Sequence, residues 1–164
     1  MTATAIPRRI LGRAVATRLV GVTNATGYYG QIGAKNGLVV GTPAPADPPP
    51  KSPTDQRVAP YFILFPGIGR PTDEADLADT YVDLETPFTV QAAAGDVDDL
   101  LALVERIDAL LWRWSPGVLT TTSGPVVCGP LRTPPGYDPR LLIDQAKTPP
   151  RHYTPLQYQL TAHT

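Results

Sequence analysis

The chain has 164 residues, 42% of them hydrophobic, which fits one domain with its own core and excludes wholesale disorder. Its 14 basic and 15 acidic residues leave a formal charge of -1, so there is no global basic footprint for nucleic acid. The single Cys128 excludes an intramolecular disulfide framework and a thiolate metal cluster, and its setting, VVCGP, reads as the buried end of a strand.

In chain order, Ile6, Ile10, Leu11, Ala14, Val15, Arg18 and Leu19 recur at helical spacing, with Pro7 suited to a first turn. Arg8, Arg9, Arg13 and Arg18 surround that stripe. Two readings stay open: an amphipathic helix packed on a sheet, or a helix turned toward an acidic partner. Residues 28–32 and 38–40 read as short strands flanking Asn36-Gly37, a strong hairpin signal. Residues 43–57 form a Pro-rich arm of polyproline character. Pro45, Pro48, Pro49, Pro50, Lys51 and Arg57 are its candidates for contact between subunits.

VAPYFILF, 58–65, is the most apolar run and reads as a buried strand. Gly67-Ile68-Gly69 follows, but it lacks the third glycine of a dinucleotide loop and the Gly-Lys-Ser/Thr ending of a Walker loop. Asp73 to Asp79 is acidic; Asp73, Glu74, Asp76 and Asp79 are candidates for the wall of a channel. Residues 80–85 and 87–94 read as two strand pieces ending at Gly95.

Asp96 then stands at a helix N-cap with Asp99 three residues on, a capping-box position. Val97, Leu100, Leu101, Val104, Ile107, Leu111 and Trp114 form the expected buried stripe, and Glu105, Arg106, Asp108 and Arg113 the opposite side. Capping, dipole and solvation account for these carboxylates without catalysis. Residues 118–128 read as a strand interrupted at 123–125, a candidate hairpin. Residues 130–150 form a second Pro-rich connection with a short apolar patch at 141–143, and 152–162 alternate as a closing strand. Pro155 places part of that strand at a sheet edge.

The expected fold is one α+β domain over 1–164: a mostly antiparallel sheet with two helices on one face and long Pro-rich loops. No catalytic residue, cofactor site or metal site emerges. His152 and His163 have no ligand spacing, there is no nucleophile elbow, and a Cys128–His152 pair has no local support. The longest apolar runs fall short of the roughly 20 residues that span a bilayer, and the start lacks a leader-like apolar core, so no membrane role is expected.

Several segments together carry a resemblance: an N-terminal amphipathic helix leading to an early β-hairpin, "PYFILFPG", "FTVQAAAG" running into "DVDDLLALVERIDALLW", and "HYTPLQYQLTAH" at the close. Asp98, Ala102 or Leu103, Ile107 and Leu111 match the helix spacing of the pattern. The layout resembles the tail terminator (tail completion) proteins of long, non-contractile-tailed bacteriophages of actinobacteria. The arm at 43–57 and the connection at 130–150 are longer than the minimal version of that domain. The resemblance implies a structural virion protein at the head-proximal end of the tail, assembled in the host cytoplasm, without a cofactor and not an enzyme. It implies a homo-oligomer, a hexameric ring, that caps the major tail tube protein and stops its polymerisation. The ring would join the head-to-tail connector or stopper protein, and DNA would pass through the channel without specific binding. Another head-to-tail connector is the neighbouring alternative; a small ligand-binding domain or enzyme is the alternative from a different class.

Overall fold

The computed structural model describes residues 5–42, 51–71 and 83–164. Its centre is a pair of long antiparallel strands, β4 (Asp83–Ala94) and β8 (Arg151–His163), in register from Asp83↔His163 to Ala94↔His152. On one side β2 (Tyr61–Pro66) adds antiparallel to β4, and β1 (Thr26–Tyr29) adds parallel to β2. On the other side β6 (Gly124–Cys128) pairs with the end of β8, and β5 (Val118–Thr121) closes a hairpin with β6. Two short strands complete the sheet: β3 (Arg70–Pro71) on β4, and β7 (Leu142–Asp144) on the start of β8. The fold is α+β, with one parallel pairing in an otherwise antiparallel sheet.

Period-two alternation decides which face is buried. Phe62 and Leu64 of β2, Leu84, Phe88, Val90 and Ala92 of β4, and Leu156, Tyr158, Leu160 and Ala162 of β8 all point to one side. Helices α1 (Arg8–Leu19) and α2 (Val97–Leu111) cover that side and complete the main core. Leu11, Val15, Ala16 and Leu19 come from α1; Leu100, Leu103, Ile107 and Leu111 come from α2. Gly12 lets α1 approach closely, since a Cβ there would lie 2.7 Å from the Tyr29 hydroxyl and 3.2 Å from Pro66. The opposite face carries a smaller cluster, Tyr28, Val58, Tyr61 and Ala93, packed with Ile32, Ile63 and Tyr153.

Several sequence expectations change. The hairpin around Asn36-Gly37 does not form: β1 pairs with β2, and residues 38–40 are turns and bends. Asn36 instead accepts a hydrogen bond from the Gly41 amide at 3.2 Å, a local closure that competes with a ladder. The two strand pieces before α2 are one strand over the described range, β4, with Pro87 inside it. Pro87 is tolerated because its carbonyl, and therefore its missing donor, faces the break between β2 and β3, where it accepts from the Gly67 amide at 2.8 Å. In α2 the buried stripe is Leu100, Leu103, Ile107 and Leu111, so Leu103 takes the place expected for Leu101, which is half exposed. The apolar patch at 141–143 contributes a strand, β7. Pro155 does face an unpaired stretch of β8, between the β7 pairing and the Arg132↔Gln159 bridge.

Candidate functional site

The helix opened by Asp96 is built as its sequence dictates. The Asp96 carboxylate accepts from the Asp98 amide at 2.9 Å, and Asp98 and Asp99 fill the first turn, where the dipole favours negative charge. Asp99 supplies charge there; among the described residues the reciprocal capping-box bond is not made. Asp108 does more than face solvent. It accepts the hydroxyl of Tyr158, a buried β8 side chain, and so ties α2 to the sheet. Burial, and then this bond, hold the Tyr158 phenol far above its ordinary range. Helical periodicity alone could not show that Asp108 has a partner 50 residues away.

The nucleophile reading meets a geometric obstacle. Cys128 stands opposite Ala162 and His152 opposite Ala94, at the two ends of β8. Ten residues of strand separate them, about 33 Å. Burial also pushes the Cys128 thiol up to about 11, away from thiolate chemistry. His163 lies at the far end of the same strand from His152, so the two cannot share a ligand. Among the described residues no group of three or more His, Cys, Asp or Glu is arranged to hold a metal ion.

Gly67 and Gly69 serve packing. A Cβ at Gly67 would run into the Pro87 carbonyl; Gly69 has φ +72°, and a Cβ there would sit 2.7 Å from the Thr86 hydroxyl. The loop they form leads into β3 and not into a helix, so no helix N-terminus faces a phosphate there.

Lys51 and Arg57, the described part of the Pro-rich arm, belong to a closed turn against their own domain. Lys51 bridges to Val58, and the Arg57 carbonyl accepts from Ser52 at 2.8 Å. The Arg57 guanidinium lies 3.5 Å from Asp96 and 3.7 Å from Asp55. Gly95 is pinned under this turn, its amide donating to the Val58 carbonyl at 2.7 Å. Pro45, Pro48, Pro49 and Pro50 of the arm, and the acidic Asp73, Glu74, Asp76 and Asp79, lie outside the described residues.

The helix-free face holds the remaining polar features. Arg151 donates to the Tyr61 hydroxyl at 2.5 Å and pairs with Asp144 at 3.2 Å, linking β2, β7 and β8. Burial raises the Tyr61 phenol and Arg151 partly opposes the shift. Tyr28 stacks edge-on against Tyr61, with centroids 6.1 Å apart. Further along, an open cleft of about 630 Å³ is lined by Arg70, Glu85, Pro87, Pro134, Gln157 and Gln159. Its one ion pair, Arg70–Glu85 at 3.3 Å, is self-satisfied, and the other lining groups are uncharged.

Sequence missed the exposed apolar groups at the rims of the sheet. Leu141, Leu142 and Ile143 are exposed around edge strand β7, Val118 and Val127 face solvent together on the β5–β6 hairpin, and Val20, Val39 and Val40 are exposed beside β1. Periodicity could not separate these from core residues, because their exposure follows from sheet order. Comparison with known proteins finds no family model that matches the chain and no curated protein that matches it in sequence. No helix among the described residues is long and apolar enough to cross a membrane.

Proposed function

We propose that this protein is a structural virion component: a ring-forming tail terminator that caps the tail tube, ends its polymerisation and joins the tail to the head connector. The observation that carries the reading is the central β4–α2–β8 unit. The segments that resemble the terminator layout form the two innermost strands and the helix packed on them. The rims support it: among the described residues β1, β5 and β7 each offer an unpaired side, and exposed apolar residues accompany them, as subunits in lateral contact require.

Electron microscopy of the purified protein, alone and with tail tubes, tests the proposal. The expected result is a ring or a distinct cap at one tube end. A protein that never binds tube ends, while remaining folded, refutes it. Binding to a connector without binding tubes would instead assign it to another position in the neck.

A further inference from the structure

The first 46 residues contain Arg8, Arg9, Arg13, Arg18 and Lys35 and no acidic residue, although the whole chain is nearly neutral. Arg8 donates to the Ile68 carbonyl, and the other cations of α1 divide between two directions. Arg18, itself exposed, turns toward α2, its Nε donating to the Leu110 carbonyl at 3.0 Å. Arg9 precedes it by nine residues, two and a half turns at about 3.6 residues per turn, and so projects on the side of α1 away from α2. Arg13, one turn on from Arg9, confirms this direction. Its guanidinium lies 3.8 Å from the Tyr29 ring centroid and donates to the Gly37 carbonyl at 2.8 Å, toward the β1 rim. Lys35 and the exposed Val20, Val39 and Val40 lie on the segments flanking this rim.

Helix α2 repeats the arithmetic with the opposite charge. Leu110 faces α1; Leu101, nine residues earlier, therefore faces directly away. Exposed Leu101 shares its face with exposed Asp98, Glu105 and Trp112. Arg9, Lys35, Asp98 and Glu105 have no ion-pair or hydrogen-bond partner among the described residues for their side chains. Arg9 is also in the first turn of α1, which has no acidic residue and no side-chain cap, where the helix dipole disfavours a cation. A carboxylate brought there relieves that conflict.

We infer that the exposed face of α2 (Asp98, Leu101, Glu105, Trp112) docks on the α1 flank (Arg9, Lys35, Val20, Val39) of a second copy of this chain, head to tail. The two faces are opposite in charge, each carries exposed apolar side chains, and they point in opposite directions on one molecule. That combination generates a heterologous contact, which propagates from copy to copy and closes when the rotation allows. The surfaces are read from the structure. That the assembly is the terminator ring rests on the function proposed above.

The test uses two charge-reversed full-length variants, Arg9→Glu/Lys35→Glu and Asp98→Lys/Glu105→Lys, followed by sedimentation and light scattering at about 0.1 M salt, where the screening length is about 10 Å. Wild type is expected to self-associate, and each variant alone to do so at least about tenfold more weakly. Mixed one to one, the variants should recover assembly in alternation, since the reversed flank of the first meets the reversed face of the second and the native face of the first meets the native flank of the second. Circular dichroism on each variant separates lost association from lost fold. Failure of wild type to associate, or failure of the mixture to recover, overturns the inference. Tube capping by either variant alone also overturns the inference while leaving the proposed function intact. Recovery on mixing without tube capping by wild type sinks the function and leaves the docking surfaces standing.

Discussion

The bond between Asp108 and Tyr158 is the place where the structure departs most from a surface-helix reading, and its removal has a calculable consequence. Tyr158 is 2% exposed, so its hydroxyl has no water to turn to when Asp108 is lost. Asp108→Ala should therefore cost about 2 kcal/mol, the sum of a charge-assisted hydrogen bond and a stranded buried donor. Tyr158→Phe should cost only about 1 kcal/mol, because Asp108 is partly exposed and can be hydrated when its donor is gone. The double variant should cost about 1 kcal/mol, less than Asp108→Ala alone, since no donor is then left stranded, giving a coupling energy of about 2 kcal/mol. Urea unfolding of the four proteins, with a shared slope, measures the cycle. Additive costs would refute the bond. The same pair sets an alkaline signature. The folded phenol titrates above its ordinary value of 10.0, so the stabilisation is complete below about pH 10 and declines as pH rises beyond it. Tyr158→Phe should flatten that decline.

Three further outcomes are expected. Asp96→Ala should cost about 1 kcal/mol through loss of the N-cap, whereas Asp99→Ala should cost about 0.3 to 0.5 kcal/mol, its role being charge in the first turn; thermal unfolding at low salt ranks the two. Gly95→Ala should destabilise by about 1 to 3 kcal/mol, because the new Cβ would sit 2.7 Å from the Val58 amide, and limited proteolysis should then cut preferentially within 51–58. Cys128, held up to about 11 by burial, should react with a disulfide reagent at pH 8 only as the protein unfolds; rapid labelling of the native protein would refute its burial.

What the sequence made legible, and what it did not, follows from the range of the forces involved. The Asp96 cap and the α2 stripe are local, and so were readable. The alternation of β8 was readable too, because one of its faces is buried from Thr154 to Ala162. Asn36-Gly37 misled because its turn chemistry is real, while the strand partner of residues 26–29 is β2, beyond the Pro-rich arm. Leu101 and Leu103 are identical to a hydropathy pattern, and only the position of α1 at Leu110 decides which of them is covered. The arrangement of Arg9 against Arg18, and of Leu101 against Leu110, needed the α1–α2 contact before either face had a direction. Apolar residues at 141–143 read as a patch because β7 is a strand by virtue of its neighbour, Tyr153 through Arg151, and not of its own length.

The placement of β8 has a consequence for how this chain is made. It is the last of the described strands in sequence, yet it lies in the middle of the sheet, paired with β4 along twelve residues and carrying β6 and β7 on its other side. As the polypeptide leaves the ribosome, α1, β2, β4 and α2 emerge with one side of β4 bare and the floor of their core missing. Stable folding therefore waits for residues 151–163, and a nascent chain stalled before them exposes the edge of β4 to any strand nearby. Only a molecule translated through residue 163 can have a finished sheet, so products that stop short of it are kept out of any assembly that requires one.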